Sequence, residues 1–172
     1  MDHSKEFIEI FLQPGDYFVG DAQYRVRTLL GSCVSITLWH PRLRFGAMSH
    51  FLLSSRGDAA PGPLDGRYGD EVMQLMIENL NSMQVKACQC QAKIFGGANM
   101  FPEQSRQEAE LIGKKNGEAA RALLHENGIA VTSESLFGIG HRQILFDISN
   151  GDVWVRQVKP VATAPLQRMA FL

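Results

Sequence analysis

Thr28-Leu-Leu-Gly-Ser-Cys33-Val-Ser-Ile-Thr-Leu38 reads as one strand, a turn of small residues, and a second strand that opens directly behind a thiol. Seventeen positions further on, His50 falls inside another apolar run, Gly46-Ala-Met-Ser-His50-Phe-Leu-Leu53. A single turn, His40-Pro41-Arg42, separates those runs, so their strands can lie side by side and bring thiol and imidazole together. A cysteine nucleophile and its base need that juxtaposition.

Further strands extend outward from this centre. Tyr24 to Leu30, Val34 to Trp39 and Phe45 to Leu53 form the central set, preceded by Phe7 to Leu12, which Pro14-Gly15-Asp16 terminates. Ser54 to Gly69 is polar and rich in Gly and Pro, a solvated loop suited to a lid or docking role. Val72, Leu75, Met76, Leu80 and Met83 recur at helical spacing and predict a helix over Asp70 to Met83. Ala92 to Phe95 is a buried strand ending on Gly96-Gly97, and Pro102 to Glu110 is loop. A second helix is expected from Ile112 to Asn127, with Gly128 as its cap. Ile129 to Thr132, Gln143 to Ile148 and Val153 to Val158 are the closing strands, the last two joined by an Asn150-Gly151-Asp152 turn. Strands dominate, and a strand separates the helices. The expected class is therefore α+β: a layered sandwich of mixed or antiparallel sheet with two main helices packed on it, one domain over 1–172, its tail from 160 to 172 loosely held.

Composition narrows the function. Of 172 residues 45% are apolar and 20% charged, ordinary for a globular domain able to bury a core unaided. The formal net charge is -1 and no Lys/Arg block occurs, which argues against a nucleic-acid footprint. No apolar run approaches membrane-spanning length, and the charged N-terminal stretch is unlike a signal peptide. Three cysteines is an odd number, and Cys88 and Cys90 are too close to pair, so reduced thiols in the cytoplasm are expected.

The chemistry centres on Cys33. A thiol attacks only as thiolate and needs a base or positive neighbour, while the N–H groups of Gly31, Ser32 and Cys33 offer an oxyanion site. The plainer reading of a lone cysteine is a small buried hydrophobe. His50, on the face shared with Met48 and Leu52, is either that base or a core histidine bonded to a carbonyl. Thr28 is the nearest candidate for a third, imidazole-orienting member, with Ser49 and Ser32 less suitable. Gly96-Gly97-Ala98 lacks the full spacing of a phosphate loop. Cys88-Gln-Cys90 lacks a second ligand pair, so no metal and no cofactor are expected. His40 reads as a solvated turn residue and His141 as part of a glycine-rich loop; His3 and His125 read as surface residues.

Three motifs in order, Thr28-Leu-Leu-Gly-Ser-Cys-Val34, Gly46-Ala-Met-Ser-His-Phe-Leu-Leu53 and Lys93-Ile-Phe-Gly-Gly-Ala-Asn-Met-Phe101, resemble the chemoreceptor glutamine deamidases, the CheD family of bacterial chemotaxis. Phe11-Leu-Gln-Pro-Gly-Asp-Tyr17, Ile112-Gly-Lys-Lys-Asn116 and Arg142-Gln-Ile-Leu-Phe146 extend the resemblance over nearly the whole chain. The resemblance implies hydrolysis of receptor glutamine side chains to glutamate, with Cys33 as nucleophile and His50 as base. It implies receptor cytoplasmic helices as substrate and, in some bacteria, a CheC-type phosphatase as partner. The family threonine stands six residues before the cysteine, where this chain has Arg27; Thr28 is one place later, and one place along a strand reverses the face. A shifted turn must restore Thr28, or another group takes its role. The rival classes are a non-catalytic adaptor on the same fold and a thiol hydrolase acting on a different amide.

Overall fold

The computed structural model describes residues 5–58, 60–100 and 108–159. Its strands are β1 (Ile8–Phe11), β2 (Tyr17–Gly20), β3 (Tyr24–Leu30), β4 (Val34–His40), β5 (Phe45–Ser49), β6 (Gln91–Gly96), β7 (Ala130–Leu136), β8 (His141–Asp147) and β9 (Val153–Val158). The helices are α1 (Gly69–Ser82) and α2 (Glu108–Glu126), with a short 3₁₀ turn at Ala87–Gln89. The strands form two sheets, one ordered β1-β3-β8-β9 and one ordered β2-β5-β4-β6-β7. Each is mixed: β1 runs parallel to β3, and β6 parallel to β7. The α+β layered class expected from the sequence is the one observed.

Alternation along the strands builds two cores, one on each side of the five-stranded sheet. Val34, Ile36, Leu38, Ala47, Ala92 and Ile94 face the helices and meet Val72, Met73, Met76, Leu80, Ala120 and Leu124. Met48 and Phe95 point the other way, onto Val26, Leu30, Ile144 and Phe146 of the four-stranded sheet. The five-stranded sheet is thus a middle layer. That explains why β4 is buried at six of its seven positions instead of alternating wet and dry.

Several expectations need correction. β2 is absent from the sequence reading, because Tyr17-Phe-Val-Gly20 is only four residues long and sits between turn signals. β5 ends at Ser49; beyond it only Phe51 and Leu53 make isolated bridges, so His50 stands just past the strand instead of within it. α2 begins at Glu108, inside the expected 102–110 loop, of which 102–107 lie outside the described residues, as do the tail from 160 to 172 and His3. β7 runs four residues further than expected, being an edge strand whose exposed polar residues carry little apolar signal. In α1 Met73 joins the buried stripe, whereas Met83 is exposed. β8 starts at His141, so that residue is a strand residue paired with Val158. His40 is buried, its Nδ1 accepting from the Leu43 N–H at 3.1 Å and its Nε2 within 3.3 Å of Gln89 Oε1.

Gly96, inside the third sequence motif, ends β6 with φ +111, a conformation open essentially to glycine. A Cβ built there would sit 2.2 Å from the Cys33 carbonyl oxygen. Gly96→Ala is therefore expected to cost about 3 kcal/mol or more, since forced backbone displacement adds to the conformational strain. Urea unfolding monitored by tryptophan fluorescence measures it, and a loss below about 1 kcal/mol would show that the strand tip relaxes freely.

Candidate active site

The turn at Gly31-Ser32 is where the chain leaves the four-stranded sheet at β3 and enters the five-stranded sheet at β4. Cys33 follows it, half-buried at the end of the intersheet core. Val34 and Phe51 then form an isolated antiparallel bridge, exchanging both backbone hydrogen bonds at 3.1 and 3.0 Å. Cys33 precedes one partner of that bridge and His50 precedes the other, so the two residues are diagonal neighbours on one face of the pairing. Such pairs have Cα atoms about 7–8 Å apart, within reach of longer side chains. The expected approach of the two segments is present.

The imidazole is fixed by the opposite sheet. Thr28 Oγ1 lies 2.7 Å from the Leu12 carbonyl oxygen and 2.7 Å from His50 Nδ1, with both side chains buried. Hydrogen counting settles the tautomer. A threonine hydroxyl has one hydrogen, and the Leu12 carbonyl can only accept, so that hydrogen goes to Leu12. Thr28 Oγ1 must then accept from Nδ1–H, which leaves Nε2 bare as the basic nitrogen. The register question raised by the sequence is answered here: Thr28 points into the intersheet space, while Arg27 is exposed on the outer face with its guanidinium 3.8 Å from Glu9. The imidazole's backbone is held on both sides, its N–H donating to Asp16 O at 3.1 Å and its carbonyl accepting from Gly15 N–H at 2.8 Å.

Burial pushes the two candidate groups in opposite directions. Desolvation lowers the His50 pKa to about 4, against a smaller opposing pull from the Asp16 carboxylate. Desolvation raises the Cys33 thiol, opposed by its own backbone N–H. Both shifts favour a neutral thiol beside a neutral imidazole over a preformed ion pair.

Three carbonyls of the turn are each held. Gly31 O accepts from Ala98 N–H at 3.0 Å and Cys33 O from Gly97 N–H at 2.9 Å. Ser32 O accepts from Asn116 Nδ2 at 3.1 Å, and the same amide nitrogen donates to Leu52 O at 2.7 Å. Asn116 was missed as a site residue although it lies in the Ile112-Gly-Lys-Lys-Asn116 motif. The available signal was a polar side chain on the face that carries Gly113, Ala120 and Leu124, all of which are buried. Arg142 was missed too. It is buried, and from β8 it donates to Ser135 Oγ at 3.0 Å, Phe137 O at 2.6 Å and Gly96 O at 3.4 Å, bracing the two sheets at this end. Cys88 is exposed and Cys90 is buried away in the helix-side core, its thiol pushed up to about 11 by burial.

A half-buried thiol, an imidazole with its Nε2 left bare, and a turn whose amides are pre-oriented make up the equipment of a thiol-dependent acyl-transfer enzyme. Similarity to known proteins narrows that class. A family model described as CheD chemotactic sensory transduction matches residues 52–157. A protein of Albidiferax ferrireducens named probable chemoreceptor glutamine deamidase CheD 2 is 62% identical over 164 residues, 95% of each chain. Probable chemoreceptor glutamine deamidases from Dechloromonas aromatica and Chromobacterium violaceum are 43% and 41% identical, over 87% and 86% of this chain and 88% and 77% of theirs. The chain belongs to the CheD family.

Proposed function

We propose that this protein hydrolyses glutamine side-chain amides of chemoreceptors to glutamate, with Cys33 as nucleophile, His50 as base and Thr28 as the group that orients it. The observation that supports the chemistry is the Leu12–Thr28–His50 chain of hydrogen bonds, which leaves Nε2 as the bare nitrogen of an imidazole one residue before the Val34–Phe51 bridge that also places Cys33. The substrate class rests on the names of the relatives.

In this reading His50 Nε2 takes the Cys33 proton as sulfur attacks the amide carbon. The carbonyl electrons move to oxygen, which the N–H groups of the Gly31–Cys33 turn receive. His50 returns the proton to the amide nitrogen as the C–N bond breaks, releasing ammonia and leaving a thioester. Water, deprotonated by the same Nε2, attacks the thioester; the adduct collapses, sulfur departs and takes the proton back from His50, and glutamate is released. Every step uses side chains and backbone of this chain. The substrate is a receptor's cytoplasmic helix, and a CheC-type phosphatase is a second partner carried by the family resemblance. The enzyme acts in the cytoplasm. None of the described helices is long and apolar enough to cross a membrane.

Mass spectrometry of a receptor cytoplasmic fragment incubated with the protein tests this reading. Amide-to-acid conversion at specific glutamines, lost with Cys33→Ala, is expected. Binding of the fragment without conversion would instead mark a non-catalytic adaptor.

The neutral resting pair has its own signature. Because the thiol is raised and the imidazole lowered, a thiolate is not stabilised at acidic or neutral pH. The rate of Cys33 alkylation by iodoacetamide is expected to keep rising with pH past about 8.5, the ordinary thiol value. A flat rate between about pH 5 and 7, as a thiolate–imidazolium pair gives, would contradict it.

A further inference from the structure

We infer that Asn116 is a positioning residue that sets the oxyanion site by locking the Ser32–Cys33 peptide plane. The inference deepens the proposed reaction and rests on Cys33 being its nucleophile.

A peptide C=O and the N–H that follows it lie in one plane and point in opposite directions. Holding the Ser32 carbonyl therefore aims the Cys33 N–H, and holding the Gly31 carbonyl aims the Ser32 N–H. The Gly31 and Cys33 carbonyls are held by backbone, from Ala98 and Gly97. The Ser32 carbonyl is the exception: its holder is a side chain, Asn116 Nδ2 at 3.1 Å. The β4 ladder cannot take over that task, because it begins at Val34, whose own N–H is committed to Phe51 O.

The amide's second bond makes the assignment specific to this chemistry. Asn116 Nδ2 also donates to Leu52 O at 2.7 Å, two residues beyond His50. The amide nitrogen of Asn116, a residue 1% exposed, thus spans the segment carrying the thiol and the segment carrying the imidazole. It sits on α2, braced from behind by Gly113, where a Cβ would stand only 2.5 Å from the Gly97 oxygen; the helix is drawn up tight against the motif that holds Cys33. An asparagine serves here because its two donors leave one nitrogen in a fixed plane. An aspartate would set oxygens against two carbonyls, and a hydrophobe would leave both carbonyls unpaired.

The test separates oxyanion chemistry from thiol reactivity. Acylation of Cys33 by p-nitrophenyl acetate forms the C–S bond through a tetrahedral oxyanion that then expels p-nitrophenolate. Alkylation by iodoacetamide displaces iodide and develops no oxyanion. Asn116→Ala is expected to slow acylation by about 30- to 100-fold, somewhat less than loss of a direct oxyanion donor. Alkylation should stay within about threefold of wild type. Asn116→Ser, which keeps one hydroxyl donor, is expected to fall between the two, and it carries the same comparison if the alanine variant does not fold. Equal losses in both reactions, or no loss in either, would overturn the assignment. Receptor-fragment deamidation by wild type is run alongside. If the acylation–alkylation split appears but the fragment is unchanged, the glutaminase reading fails while the role of Asn116 stands.

Discussion

Cys33→Ser is expected to reduce glutamine turnover by about 10⁴-fold or more while leaving the protein folded. The size follows from what surrounds the side chain. A serine hydroxyl is a far weaker acid than a thiol, so it depends entirely on its base. His50, with a pKa lowered to about 4, is a weak base that suffices only for a comparatively acidic partner. Structurally the exchange is mild, since Cys33 is half-buried at the edge of its cluster and the substitution removes little volume. The measurement is kcat on the receptor fragment, with thermal midpoint as the control for folding. Serine activity above about a tenth of wild type would remove Cys33 from the nucleophile's role.

How much of this was legible before the structure depends on which signal each element carries. The β3–turn–β4 segment was readable because small turn residues interrupt a strongly patterned pair of strands, and the Cys–His approach followed from the short connection between β4 and β5. Alternation alone, however, could not say which of two layers a face would meet. The even burial of β4 shows why: both of its faces are covered, one by helices and one by the other sheet. Thr28 illustrates the limit most clearly. The sequence offered Thr28 as the orienting residue while the family spacing fell on Arg27, and only the β3–β8 register shows that the inward set is Val26, Thr28 and Leu30. Tertiary pairing, not distance in sequence, decides which side chain enters the intersheet space. Asn116 stayed hidden for a related reason, since a helix periodicity marks which face is buried but not which loop carbonyls await it. His40 was misplaced because its neighbours, Pro41 and Arg42, are exposed although its own ring is not.

The location of the site also follows from the architecture. A two-sheet sandwich leaves an open end where the chain crosses from one sheet to the other, and backbone there cannot be satisfied by either ladder. In this protein that end is filled by a turn whose three carbonyls, of Gly31, Ser32 and Cys33, are all bonded. The proposed catalytic set is therefore drawn from three places: β3 for Thr28, the crossover for Cys33, and the segment after β5 for His50. Such a set is only as well aligned as the packing between sheets. Arg142, reaching from β8 to carbonyls of Gly96 and Phe137, holds that packing at the right end of the molecule.

The second large effect is expected at His50, and its size relative to Thr28 tests the tautomer argument. His50→Gln keeps a buried polar side chain but removes the proton carrier, and should lower kcat by about 10³- to 10⁴-fold. Thr28→Val removes the acceptor for Nδ1–H but leaves the base in place. The imidazole remains, but both tautomers then compete, and the ring loses its tether; a fall of about 10- to 100-fold is expected, with KM little changed. The Leu12 carbonyl also loses its donor, so a stability cost of about 1–2 kcal/mol should accompany it. Thr28→Ser, which keeps the hydroxyl, should restore most of the rate. Arg27→Ala is the decisive companion, because residue 27 occupies the spacing the family resemblance assigns to the threonine. The Arg27 side chain lies beside Glu9 on the face of β3 opposite the imidazole's tether, so its loss should leave kcat within about twofold, as expected for an exposed pair. Were Arg27→Ala to cost as much as Thr28→Val, the register of β3 would have to be shifted by one residue and the hydrogen-bond chain from Leu12 to His50 abandoned.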